Sequence, residues 1–260
     1  MLEHRLRKGM GTNERRERER LAMREQILDA ARELFAERGY EAVTMREIGK
    51  RIEYSATALY NHFEDKETLV RELCRRDFRD FAGRFLEAVA GSKSPIESAC
   101  RAGFVYLGFA EQFPQHYRLM FMTPLPEAPP EAGEREDPRV NAYVFLHQLV
   151  QQLMAGGYLR PELTDVDLVS QSIWSILHGA AALDLILNKQ EPWLDFKPRR
   201  ERFLQALRCV LRSHLRDPEA AEKELEGAAS SGMPGLVEAE VPTKTKAKAK
   251  KPTAKPKPKG

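Results

Sequence analysis

The segment from Thr44 to Lys66, TMREIGKRIEYSATALYNHFEDK, carries the densest set of side chains suited to gripping another molecule. It reads as two short helices joined by a tight turn, the second small and polar where it begins. Such a helix suits entry into the major groove of DNA, where contacts are made to base edges. Bond-making chemistry has no comparable set. The chain has no glycine-rich phosphate loop, no HExxH and no cysteine pair at metal spacing. Its six histidines are scattered, and no spacing supports a metal site built from His116, His147 and His178. Cys74, Cys100 and Cys209 lie far apart in apolar helical stretches, the pattern of reduced, semi-buried thiols rather than a disulfide. The expectation is therefore no catalytic residue, no metal and no cofactor.

The elements that would position the Thr44–Lys66 side chains are legible locally. Thr44 and Glu47 form a capping box that opens a helix from about Met45 to Arg51. Glu53 and Tyr54 make the turn, and Ser55 caps a second helix from about Ala56 to His62. Upstream, Ile27, Ala31, Leu34 and Phe35 recur at helical spacing, and Gly39 stops that first helix. Three small helices sharing one core are the minimum for a helix-turn-helix module. The same layout occurs in helical proteins that never touch DNA, so spacing alone leaves both readings open.

The wording of the segment resembles the N-terminal domain of the TetR family of bacterial transcriptional regulators. The residues that carry the resemblance are Ile27 to Gly39, Thr44, Glu47-Ile48, Ser55, Leu59-Tyr60, His62-Phe63, Lys66 and Leu69. The chain departs from the family at the turn, where Ile52, Glu53 and Tyr54 stand for the common Ala-Gly-Val, and at Gly49, which replaces a common Ala at about 1 kcal/mol of helix propensity. The resemblance implies that Thr44, Tyr60 and Lys66 contact phosphates and that Arg46 reaches the backbone or a base edge. It places Ser55, Ala56, Thr57 and Asn61 at the recognition helix, Thr57 against a thymine methyl and Asn61 against adenine. His62 is implied as a backbone neighbour, with a plain surface histidine as the alternative.

Composition bounds the rest. Hydrophobic residues at 42% of 260 allow a sizeable core, strand signals are poor, and helical periodicity runs throughout, so the expected fold class is all-α. No apolar run is long enough to span a membrane and no apolar signal segment opens the chain, which makes the cytoplasm, at the nucleoid, the expected compartment. The net charge of +3 hides segregation. Eight lysines and no acid occupy 244–259, and setting them aside leaves 34 basic against 39 acidic side chains. Positions 217–240 are acid-rich.

The expected organisation is a charged flexible arm over 1–20, a helix-turn-helix domain over 21–66, a helical regulatory and dimerisation domain over 67–216, and a disordered acidic then lysine-rich segment over 217–260. Within the third part, capping at Ser94 opens an apolar helix ending at Phe113, a short helix follows to Met122, 123–138 is an exposed loop, and Arg139–Ala155 is helical. Thr164 and Asp167 cap the next helix, whose stripe Val166, Val169, Ile173, Ile176, Ala180, Leu183 and Leu187 is nearly a heptad. Pro198 begins the last folded helix, with Phe203, Leu207 and Val210 on one side. Two such helices pack either in an ordinary core or against a second copy as a four-helix bundle. The resemblance favours the homodimer and, with it, a roughly palindromic double-stranded operator.

The Trp174…His178-Gly179 sequence also resembles the Trp-His-Gly subgroup of TetR-like C-terminal domains. The family implies a pocket for a small-molecule effector, here expected from Phe104, Tyr117, Met120, Tyr143, Trp174 and His178, with Tyr106 able to join. Aromatic and Met side chains at helical spacing equally describe plain core. The resemblance thus implies a ligand-responsive, sequence-specific regulator acting as a repressor. The lysine tail supports another reading, a nucleoid-associated architectural protein whose DNA affinity is sequence-independent.

Overall fold

Caps written into the sequence set most of the helix starts. The computed structural model describes residues 12–124, 134–187 and 194–230. Its ten helices are α1 (Thr12–Arg38), α2 (Met45–Arg51), α3 (Ala56–Tyr60), α4 (Lys66–Val89), α5 (Pro95–Gln112), α6 (Pro114–Met122), α7 (Ala142–Ala155), α8 (Val166–Ile186), α9 (Arg199–His214) and α10 (Pro218–Ser230). Among the described residues there is no strand, only an isolated bridge between Leu159 and Leu215. Side chains of Thr44, Ser55, Asp65 and Ser94 each accept from a backbone N–H of the first turn they precede. Ser94 has no full capping box, because the Glu97 carboxylate reaches the amide of Lys93 instead.

Several expected boundaries move. The segment 12–20 is not a flexible arm: it is the first third of α1, held by intrahelical pairs such as Arg20–Glu17. Residues 1–11 lie outside the described part. α7 starts at Ala142 rather than Arg139, because Asn141 Oδ1 accepts from the amides of Tyr143 and Val144. α8 is capped by Asp165, not by Thr164 or Asp167. Much of the expected loop at 123–138 also falls outside the described residues. The largest correction is α10. The acid-rich segment after Asp217 is helical to Ser230 and buries Ala221, Leu225 and Ala228, a stripe at i, i+4, i+7, against α5 and α9. The lysine-rich tail lies outside the described residues.

Two cores result. Ile27, Ala31, Phe35, Ile48, Leu59, Phe63, Leu69 and Leu73 form the first, beneath α1–α3 and the start of α4. The second is larger and lies among α4, α5, α7, α8, α9 and α10. α4 runs through both, giving Leu69 and Leu73 to the first and Phe81 and Phe85 to the second. α6 also joins them: Leu119 is buried in the first core and Tyr117 in the second.

Polar side chains lock the junction. Arg32 on α1 makes a bidentate pair with Asp77 on α4, at 3.1 and 2.9 Å, and Asp77 is only 2% exposed. His116 on α6 lies 3.3 Å from Asp77 Oδ1, within ion-pair range though not aligned as a hydrogen bond. Burial pushes the Asp77 carboxyl up, and His116 and Arg32 outweigh it, so the group sits below the ordinary carboxylate range.

Candidate nucleic-acid interface and ligand cavity

Thr44 Oγ1 accepts from the Glu47 amide, and the Glu47 carboxylate takes both the Thr44 amide and hydroxyl at 2.9 Å. Arg38 fixes the far oxygen of that carboxylate at 2.7 Å. α2 then ends in a Schellman motif: Tyr54 N–H donates to Gly49 O at 2.8 Å and Glu53 N–H to Lys50 O at 3.3 Å. Glu53 occupies the left-handed position with φ 62, where glycine is usual. Gly49, which from sequence was only a weak helix former, is what lets this turn close. A Cβ there would lie 2.7 Å from the Tyr54 carbonyl oxygen. Glu53 in the left-handed position and Gly49 beneath the turn therefore work as one device.

The turn aims α3. Ser55 Oγ accepts from the Ala58 amide, Leu59 is buried, and Thr57 and Tyr60 point outward, Tyr60 being 52% exposed. Thr44, Arg46, Ser55, Thr57, Tyr60 and Asn61 share exposure, and Ala56 is half-buried at the start of the helix. α3 is shorter than expected, so Asn61 is its C-cap and His62 follows it. The His62 carbonyl accepts from Arg24 of α1, whose guanidinium lies over the Phe63 ring. Burial, with Arg24 and Arg20 nearby, holds the His62 imidazole below its ordinary pKa. Lys66 differs most from its expected role. Its ammonium donates to Tyr40 O at 2.9 Å and Val43 O at 3.0 Å and sits over the Tyr40 ring, stapling the α1–α2 loop. At most one of its three donors is left for a phosphate.

The second core is hollow. A cavity of about 130 Å³ lies between α4, α5, α7, α8 and α9, with Leu225 of α10 at its edge. For scale, an engineered apolar cavity of ~150 Å³ admits benzene. Phe81, Phe85, Phe121, Phe145, Tyr106, Tyr143 and Trp174 make its aromatic walls, and among the described residues no Asp, Glu, Lys or Arg lines it. Of the residues expected from sequence, Tyr143 and Trp174 line the cavity. Tyr117 and His178 stand one layer behind, and Phe104 and Met120 belong to packed core instead. Helical spacing marked Phe104 and Tyr106 equally as candidates, but only Tyr106 turns toward the gap.

Four polar groups make a chain from the cavity wall. Trp174 Nε1–H donates to Tyr106 Oη at 3.0 Å, Tyr106 Oη lies 2.9 Å from Tyr117 Oη, and Tyr117 Oη lies 2.7 Å from His178 Nδ1. Burial pushes the Tyr106 hydroxyl up to about 12 and that of Tyr117 higher, and lowers His178 below its ordinary pKa, so all three are neutral at pH 7. The three histidines weighed as metal ligands are apart: His116 meets Asp77, His147 meets Asp167 and His178 meets Tyr117. Burial raises the Cys74 and Cys100 thiols to about 12, whereas Cys209, expected to be semi-buried, is exposed.

Comparison with known proteins gives this geometry a lineage. The model for bacterial regulatory proteins of the tetR family matches residues 27–73, and that for the tetracyclin repressor-like C-terminal domain matches 99–188. The HTH-type transcriptional repressor KstR2 of Mycolicibacterium smegmatis is 30% identical over 158 residues, 58% of this chain and 73% of that protein. This chain belongs to the TetR family. It is a DNA-binding transcriptional regulator with the family's two-part helical fold.

The HTH-type transcriptional repressor AcnR of Corynebacterium diphtheriae is 43% identical over 67 residues, 26% of this chain and 33% of that one. Among solved structures, KstR2 of Mycobacterium tuberculosis superposes with a TM-score of 0.52 at 23% identity, over 75% of this chain and 96% of that chain. A TetR family regulator from Marinobacter aquaeolei VT8 does so with 0.58 at 18%, over 78% and 98%. The C-terminal match names the tetracyclin repressor-like domain rather than the Trp-His-Gly subgroup. Among the described residues of this TetR-family chain, no helix is long and apolar enough to cross a membrane, and no His/Cys/Asp/Glu group could hold a metal.

Proposed function

We propose that this chain is a homodimeric repressor that leaves its operator when an apolar small molecule fills the cavity of the second core. The observation that carries the reading is the placement of α6. Tyr117 and Phe121 belong to the cavity side, while Leu119 between them is buried in the core that holds α1–α3. A ligand that displaces the first two moves the third, because packed cores repack between discrete arrangements rather than deform smoothly. Two recognition helices matched to grooves ~34 Å apart would then lose register.

Thr44, Tyr60 and Arg46 serve as backbone contacts in this reading, and Ser55, Ala56, Thr57 and Asn61 face the groove, with His62 beside the backbone. Lys66 acts mainly by holding the loop that presents Thr44. The operator-binding unit is α1–α3 with the start of α4, and the effector and dimer unit runs on through α10. The dimer face lies on α8 and α9, and only part of the heptad stripe can serve it. Val169 and Ile173 point into their own core, while Leu183 of the stripe, with Leu168 and Ile186 beside it, stands exposed, at 52%, 66% and 62%. Exposed apolar side chains spaced along one helix face suit covering by a second copy. The protein works in the cytoplasm, at the nucleoid.

Selection of sheared genomic DNA by the full-length protein at physiological salt, beside a variant ending at Pro242, tests the reading. It requires one palindrome bound by both proteins, and Tyr60→Ala should weaken binding to every sequence alike. Broad recovery that disappears on truncation would overturn it and put the lysine tail first.

A further inference from the structure

The polar end of the cavity has a direction. Tyr106 Oη has three polar neighbours: Trp174 Nε1 at 3.0 Å, Tyr117 Oη at 2.9 Å and His178 Nδ1 at 3.3 Å. The indole can only donate, so one lone pair of Tyr106 is always filled. Three arrangements of the remaining protons are consistent with a neutral imidazole, and the one in which Tyr106 donates across 3.3 Å to Nδ1 while Tyr117 donates to Tyr106 is disfavoured, because it leaves the 2.7 Å contact of Tyr117 Oη with Nδ1 without a proton. In one, His178 Nδ1 accepts from Tyr117, Tyr117 accepts from Tyr106, and Tyr106 keeps one open lone pair. In the last, Nδ1 carries the proton, both bonds of Tyr117 reverse while the indole still donates, and Tyr106 is left with an O–H that meets nothing. A buried donor without a partner is the more costly defect, since an oxygen tolerates an empty lone pair better than a hydrogen tolerates no acceptor. The empty site therefore runs toward His178 and presents an acceptor to the cavity.

The other polar groups on the wall are already engaged. His214 places Nε2 2.8 Å from Ser172 Oγ and Nδ1 2.9 Å from Val210 O. Tyr143 donates to Asp167 at 3.2 Å. The rest of the lining among the described residues is hydrocarbon, aromatic ring or the Cys100 thiol.

We infer that the cavity selects a neutral, apolar molecule carrying one hydroxyl group, which donates to Tyr106 Oη. A carbonyl at the same place finds no donor unless the whole chain reverses at His178. Tyr106 is thus the specificity-determining residue, and Tyr117 positions it by fixing the sense of the chain. This inference rests on the effector reading above, since it names the chemistry of the same site.

Three molecules of one shape, indane, 2-indanol and 2-indanone, separate the possibilities by calorimetric titration of the full-length protein. The expected order is 2-indanol ahead of indane by about fivefold, the worth of one ordinary hydrogen bond, with 2-indanone weakest. In Tyr106→Phe the three should bind within about twofold of one another. In Tyr117→Phe, where the Tyr106 hydroxyl is free to turn, 2-indanone should gain on 2-indanol with indane unchanged. A 2-indanol advantage that survives Tyr106→Phe, or a wild-type preference for 2-indanone, overturns the inference while leaving a working effector cavity. Binding of none of the three overturns the cavity reading and this anchor with it.

Discussion

Around α1–α3, buried side chains meet one another: Ile27, Ala31, Phe35, Ile48 and Leu59 are all fully enclosed, and none of them borders the cavity. Around α5 and α8 the side chains are as apolar, but Phe81, Phe85, Phe145 and Trp174 stand about an opening of about 130 Å³. The first core has one task, to hold α3 at a fixed angle, and dense packing does that. In the function proposed above the second admits a ligand, and a gap among stiff aromatic rings leaves room for one while forgoing contacts. The two meet along α4 and α6, where the Arg32–Asp77 pair and His116 add charge to the packing of Leu119 and Tyr117.

The comparison breaks most readily at that joint. Asp77→Ala strips a buried guanidinium of its bidentate partner and should cost about 3–5 kcal/mol in urea denaturation. Asp29, 2.6 Å from Arg32 and itself exposed, stays as a partner, so a loss below ~1 kcal/mol would mean that Asp29 suffices for the guanidinium and that the two cores are less tightly joined than described. Next, the same enlargement should act differently in each core. Ala31→Leu overfills the first and should cost about 1–3 kcal/mol, whereas Ala102→Leu, beside the cavity, should cost under ~1 kcal/mol and weaken ligand binding. Equal losses would sink the contrast between a filled and a hollow core.

Smaller effects sharpen it. Gly49→Ala forces a methyl against the Tyr54 carbonyl and should destabilise by ~1–2 kcal/mol, while Glu53→Gly relieves a left-handed residue and should stabilise by up to ~1 kcal/mol. Operator affinity should fall with the first and hold with the second. The least effect is on pH. His178 and His62 both titrate below their unfolded value of about 6.5, chiefly through burial. Below pH 6.5 the unfolded chain takes up protons first, so stability present above that pH declines as pH falls toward the folded values. Melting curves between pH 7 and 5 should show this decline, and His178→Gln should make it shallower; an identical slope would place His178 in water.

What could be read from the chain divides by range. Caps at Thr44, Ser55 and Ser94 are settled within four residues of sequence, so the helices they open begin where expected. Where the cap itself was misjudged, as at Asn141 and Asp165, two or three neighbouring residues had equal claim and only the path of the backbone chose. α10 carried a signal in Ala221, Leu225 and Ala228, but the surrounding glutamates masked it.

By itself, then, the sequence determined an all-helical chain, a helix-turn-helix whose wording places it in the TetR family, and the first core, because each depends on periodicity and caps a few residues long. Only the tertiary structure decided that Lys66 holds a loop, that Asp77 joins three helices, and that Tyr106 rather than Phe104 faces a cavity. A void is defined by what distant helices fail to fill. No local pattern records that, since the residue that lines a gap and the residue that fills a core can have the same spacing and the same chemistry.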